Sequence, residues 1–317
     1  MRQTQAHLAR RWQSARRSVF PLLQGYTAFM NKAFRQALRH AILAMSCLGG
    51  LMPALAYQVL EVRLPRGDAE KPVFLRGLLD LSPQPNGKLL MVFPGWPGIP
   101  RIELRDGKPS WLYLQQHVQE MRPVLHAAGI SIMTVDCPTD QWGTRGPSPT
   151  ACSDDYRATP QHADDVRALM AEARQAAAVQ QMYVMGHSYE AVSSHWLAIR
   201  LGSELAGSVH SATQSVPGGG PFTRYAYTVA GIQPSQLPAS SIYLHHREDL
   251  CRFTPYDFAK RQAIHGLMTV VGGNRWSDPC GKASYHSYSE RSTEVGHALV
   301  KWINDGVITP LIKAQGE

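Results

Sequence analysis

Acidic residues are missing from the first 56 positions, which carry eight basic ones (Arg2, Arg10, Arg11, Arg16, Arg17, Lys32, Arg35 and Arg39). The formal charge of +8 sits there: 32 basic residues less these eight leave 24, against 24 acidic residues. A balanced remainder argues against a polyanion-binding surface, so no nucleic-acid partner is expected. Long apolar runs are also lacking. The stretch 41–56 is broken by Gly49, Gly50 and Pro53 and falls short of the roughly 20 residues a membrane-spanning helix needs. There is no internal repeat, low-complexity tract, metal-ligand motif, phosphate loop or dinucleotide fingerprint, and no cofactor or metal is expected.

The N-terminal segment has the order of an export leader. From Met30 the chain reads "MNKAFRQALRH", then "AILAMSCLGGLM", then "PALA". These are a positive region, a short apolar region and a small-residue Ala-x-Ala site ending at Ala56. Residues 1–56 are expected to be leader, with Met30 as an alternative start, and residues 57–317 to be one mature domain with no membrane association after cleavage. An uncleaved anchor is the alternative reading.

Cysteine is scarce. Removal of Cys47 with the leader leaves Cys137, Cys152, Cys251 and Cys280. An even count in an exported chain favours disulfides and an oxidising compartment, periplasmic or extracellular. Of the three possible pairings, the sequence-local one, Cys137–Cys152 and Cys251–Cys280, is expected, because each pair brackets one connecting segment. Buried free thiols are the alternative.

Along the mature chain, "YQVLEVRLP" and "KPVFLRGLLDLS" alternate apolar and polar residues as antiparallel strands do. After them, buried-strand runs ("GKLLMVFPG", "ISIMTVDCP", "QMYVMGHS", "GSVHSAT", "SSIYLHH", "LMTVVGG") alternate with helical patterns ("WLYLQQHVQEMRPVLHAAG", "HADDVRALMAEARQAAA", "YEAVSSHWLAIRLG", "TPYDFAKRQAI", "STEVGHALVKWIND"). That order predicts an α/β fold: a mostly parallel, doubly wound sheet with antiparallel N-terminal strands. Ligands of such sheets bind at the carboxyl ends of the strands.

The segment "MGHSYEA" follows one of those strands and precedes a helix. It nearly spells Gly-x-Ser-x-Gly, the strand–turn–helix elbow that presents a nucleophilic serine. Gly186 and Ser188 are in place; Glu190 stands where the second glycine belongs. The alternative role for Ser188 is a helix N-cap. Glu190 is expected to lie along the surface or to bond a neighbouring polar group, outside any catalytic triad.

With this elbow, the chain resembles the α/β-hydrolase superfamily, and more narrowly exported bacterial serine hydrolases of esterase type with paired cysteines. The resemblance covers the mature chain nearly end to end. It implies the order nucleophile, acid, histidine. Related sequences carry His-His-x-x-Asp-x-Cys, which falls on "HHREDLC" and marks Asp249 as the acid, with Glu248 as runner-up. They also carry a Cys…Tyr-His-Gly-Phe-like pattern, matched by Cys280, Tyr285, His286 and Tyr288, with Ser287 in place of the glycine. That marks His286 as the general base. His297, in "VGHALVKWI", is the rival; it lies about 200° round the helix from Val295, off the apolar stripe of Val295, Leu299, Trp302 and Ile303. A Cys251–Cys280 bond would then tie the acid loop to the histidine loop.

The oxyanion-holding N–H groups are expected from Tyr189 and from "FPGWPG", where Trp96 and Gly95 are candidates; a turn with no ligand is the alternative. Trp142, Phe222 and Tyr225 are candidate pocket residues, "DQWGTRGPSP" a candidate rim, and 214–239 the position of a short cap loop. The expected activity is hydrolysis of a small-molecule carboxylic ester. A peptidase or amidase, and a non-catalytic binding protein on the same fold, are the alternatives; oligomeric state is not legible.

Overall fold

Residues 57–142, 151–217, 229–276 and 278–316 are described by the computed structural model. The chain opens with β1 (Gln58–Gly67) and β2 (Pro72–Asp80), then β3 (Lys88–Phe93). A hairpin, β4 (Glu103–Arg105) and β5 (Lys108–Ser110), precedes helix α1 (Gln116–Ala127). β6 (Ser131–Val135), the short α2 (Asp154–Arg157) and α3 (Pro160–Ala177) lead to β7 (Gln181–His187). There follow α4 (Ala191–Leu201), β8 (Gly207–Ser211), β9 (Ser241–His246), α5 (Tyr256–Gln262), β10 (Leu267–Val270), α6 (Ser292–Asp305) and β11 (Leu311–Ile312).

Nine strands form one sheet in the order β1-β2-β6-β3-β7-β8-β9-β10-β11. β2 pairs antiparallel with both β1 and β6, and every pairing from β6 to β11 is parallel. The expected fold class is therefore observed. The chain leaves β3 toward β6 on one side, then returns to β7 on the other. β3 and β7 thus flank the point where the winding reverses, and the connections leaving their carboxyl ends part to form a crevice.

Period-2 side-chain alternation divides the core. Leu89, Met91 and Phe93 of β3 pack with Val166, Leu169 and Met170 of α3 and Leu197 of α4. Leu90 and Val92 face the other way, against Val118, Met121 and Leu125 of α1 and Val295, Leu299, Trp302 and Ile303 of α6. Burying each large aliphatic side chain contributes about 2 kcal/mol, so the sheet's two apolar faces hold the helices on both sides.

Two local readings need correction. The helix expected from Trp111 begins only at Gln116. The Leu112 N–H bonds Pro100 O at 2.8 Å, so the segment before the helix pairs with the preceding loop instead of winding. The helix after the elbow begins at Ala191, behind a 3₁₀ turn at Ser188–Glu190. The β4–β5 hairpin was also unforeseen, although Asp106-Gly107, both at positive φ (53° and 73°), is a hairpin-turn signal. The leader, Phe222, Tyr225 and 143–150 of the rim lie outside the described residues, as does 218–228 of the cap loop. The described remainder of that loop contains short 3₁₀ turns at Val229–Gly231 and Pro234–Gln236.

Candidate active site

β7 ends at His187, and Ser188 follows at φ +58°, a left-handed conformation costly for any residue with a side chain. The strain turns the chain sharply and lifts the serine from the sheet. Gly186 makes the turn possible: a Cβ there would overlap Glu190 O and stand 2.8 Å from Ser194 Oγ. Gln214 N donates to Ser188 O at 3.2 Å, tying the elbow to the loop after β8.

Ser188 lines a cavity of about 290 Å³ together with Gly95, Trp96, Gln115, His117, Phe253, Lys282 and His286. The cavity sits at the carboxyl ends of β3 and β7, as the sheet's winding requires. A Cβ on Gly95 would stand 3.4 Å from Ser188 Cβ and 3.3 Å from His187 O, so the loop after β3 lies directly against the elbow. Trp96 is 40% exposed and sets its ring edge-on to Tyr189, centroids 5.4 Å apart.

His286 lies in a turn after β10, and its Nδ1 stands 3.0 Å from Asp249 Oδ2. The Asp249 side chain is fully buried. It accepts from Cys251 N at 2.9 Å and from Thr254 Oγ1 at 2.8 Å, and His245 Nε2 lies 3.3 Å away. Burial alone would raise its pKa, but hydrogen bonds from His245 and His286 hold it well below the usual carboxylate range. A charged carboxylate facing Nδ1 favours the tautomer with its proton on Nδ1 and a free lone pair on Nε2. Glu248, the runner-up acid, is exposed and its nearest imidazole is His246, at 3.7 Å. His297 is exposed on α6, away from the buried stripe.

Both expected disulfides are present. Cys137–Cys152 has Cα atoms 5.7 Å apart, and Cys251–Cys280 4.7 Å. Trp142 does not line the cavity: it packs on the first disulfide and donates Nε1–H to Cys137 O at 2.8 Å. The Tyr189 ring is buried, its hydroxyl donating to Cys152 O at 3.2 Å. Glu190 is only 2% exposed, which corrects the surface alternative. It bonds polar neighbours, Arg157 and Ser193, the latter at 2.8 Å.

Sequence reasoning missed Tyr113, Gln115 and His117 as cavity residues. All three fall within the segment whose spacing predicts a helix from Trp111, where nothing distinguishes them from other helix residues. The His117 ring lies tilted against that of His187, centroids 4.3 Å apart, and the His187 ring lies 4.9 Å from that of His286. Burial pushes His117 down to about 3 and His187 well below its ordinary value, so both are neutral near pH 7. Among the described residues, no cluster of three or more metal-binding side chains occurs. No helix among them is long and apolar enough to cross a membrane.

No protein-family model and no curated protein matches the chain. Solved structures do. The chain is similar to the 2,6-dihydroxy-pseudo-oxynicotine hydrolase at 15% identity, covering 90% of this chain and 79% of that one, with a TM-score of 0.52. Similarity to Est1E from Butyrivibrio proteoclasticus has 13% identity, coverage of 77% and 97%, and a TM-score of 0.50. A thermostable carboxyl esterase from Bacillus coagulans gives 12% identity, coverage of 81% and 100%, and a TM-score of 0.50. Such identities speak to architecture alone. With the strand order and the elbow after β7, they establish that the chain has the α/β-hydrolase fold.

Proposed function

We propose that this protein is a serine hydrolase that cleaves a carboxylic ester through an acyl-enzyme on Ser188, working in an oxidising compartment after export. One observation carries the reading. A strained serine at the switch-point crevice shares its cavity with His286, whose far nitrogen faces buried Asp249 at 3.0 Å. His286 Nε2 takes the Ser188 proton as the hydroxyl attacks the carbonyl carbon. Asp249 holds the ring and stabilises its charged form. Backbone N–H groups of Tyr189 and of the Gly95–Trp96 segment hold the developing oxyanion. His286 then protonates the leaving alcohol, and water, activated by the same imidazole, releases the acid. The two disulfides support an oxidising compartment. The carboxyl esterase among the similar structures fits the ester reading.

A fluorophosphonate probe tests the proposal. Labelling of the wild type and none of Ser188→Ala is the expected result; a wild type that takes no probe favours a binding protein. Turnover of a short p-nitrophenyl ester well above that of the matching anilide is expected, and the reverse would make the protein an amidase.

A further inference from the structure

We propose that Arg157 and Glu190 are positioning residues that hold the two oxyanion-binding segments in register. The proposal rests on the serine-hydrolase reading above.

The segments come from different parts of the chain. Tyr189 lies in the 3₁₀ turn before α4, and Gly95–Trp96 follows β3. Two N–H groups converging on one oxygen must keep their separation to a fraction of an ångström, because an oxyanion donor is effective only at about 2.7–3.1 Å. A glycine two residues after the serine would leave the space beside Gly98 unfilled. Here the side chain of Glu190 fills that space, and the glycine is on the other wall. Gly98, at φ +71°, is where a Cβ would overlap both Glu190 Oε1 and Arg157 Nη2. The carboxylate–guanidinium pair thus acts as a wedge fitted into a notch of the oxyanion loop.

The wedge is held by several neighbours. Arg157 is 1% exposed and its guanidinium stacks on the Tyr189 ring at 4.6 Å. Ser193 Oγ holds the second Glu190 oxygen. Arg157 rides on α2, which begins two residues after Cys152, and Cys152 touches both segments: its N–H donates to Pro97 O at 3.0 Å, and its carbonyl accepts from the Tyr189 hydroxyl. The Cys137–Cys152 bond keeps the bridge in place. Buried ion pairs contribute little net stability compared with apolar residues of similar size. The consequence of this pair is therefore geometric: it fixes the distance between the two loops.

The test compares Arg157→Met/Glu190→Met, which removes both charges, and Glu190→Gln, which keeps the shape, with the wild type. Four quantities are read: kcat and KM on a p-nitrophenyl ester, the inhibition constant of phenylboronic acid as a tetrahedral-intermediate mimic, and Tm. The double variant is expected to keep its Tm, to lose about 10- to 100-fold in kcat and in boronic-acid affinity alike, and to hold KM within about threefold. Glu190→Gln is expected to lose about fivefold in both, and it decides the question if the double variant does not fold. A folded variant with kcat and boronic-acid affinity within about twofold of wild type overturns the positioning role. A wild type that neither turns over the ester nor labels at Ser188 overturns the hydrolase reading instead.

Discussion

Cys251 and Cys280 stand 29 residues apart in sequence and 4.7 Å apart at Cα, and their bond joins the loop that carries Asp249 to the loop that carries His286. The tie is intimate on the acid side, where Cys251 N donates directly to Asp249 Oδ1 at 2.9 Å.

Cutting this bond is expected to damage activity before fold. Cys251→Ala/Cys280→Ala leaves Cys137–Cys152 intact. Loss of loop closure costs about 3–4 kcal/mol, which a domain of this size can absorb at 25 °C. A displacement of the imidazole by about 1 Å costs up to about 100-fold in rate. Ester turnover and far-ultraviolet ellipticity followed on one reductant titration should separate, turnover falling first. Coincident curves would show that the bond serves stability alone.

The two candidate histidines part cleanly in the structure. His286→Ala is expected to lower kcat by at least about 10³-fold and to abolish fluorophosphonate labelling, because the serine loses its base. His297→Ala, on the exposed face of α6, should retain turnover within about twofold. Asp249→Asn is expected to lose about 10⁴-fold through the wrong imidazole tautomer. Full activity in purified His286→Ala would overturn the assignment.

Stability should peak near neutrality. Burial raises Asp136 to about 7, although N–H groups of Ile102, Cys137 and Arg101 pull it down. Its ordinary value is about 3.9. A folded value above the unfolded one contributes stability fully present below about pH 4, and lost as pH rises through about 7. Asp249 has the opposite sign: its depressed value contributes stability above the ordinary carboxylate range, lost as pH falls below it. Burial pushes His117 and His162 down to about 3, His195 to about 4, and His187 and His210 well below their ordinary value. These histidines outnumber the raised carboxyls Asp136 and Glu190, and their contribution, present above about pH 6.5, is lost as pH falls below it, so urea midpoints should rise from pH 5 to pH 7. Asp136→Asn removes an opposing contribution and should steepen that rise while costing about 1–3 kcal/mol throughout, since its amide cannot accept both N–H bonds. An unchanged slope in this variant would show that Asp136 titrates alike in the folded and unfolded chain.

Much of this molecule is legible in its sequence, because local periodicity is a local consequence of which face is buried. The strands from "YQVLEVRLP" to "LMTVVGG" and the terminal helix, with His297 on its outer face, follow from spacing alone. The elbow position of Ser188 and the cysteine pairing across single connections also follow from the sequence, whereas the choice of Asp249 over Glu248 and of His286 over His297 drew on the resemblance to α/β hydrolases. The tertiary structure decided what depends on residues far apart in the chain. Leu112 pairs with Pro100 rather than extending a helix, and so Tyr113 and Gln115 reach the cavity. Trp142 goes to a disulfide instead. Glu190, unexplained as a departure from a motif, finds Arg157 and the notch at Gly98, 33 residues before it and 92 residues before it in sequence. No local pattern encodes such a match, because the space one side chain leaves and the charge another supplies meet only when the sheet brings their loops together.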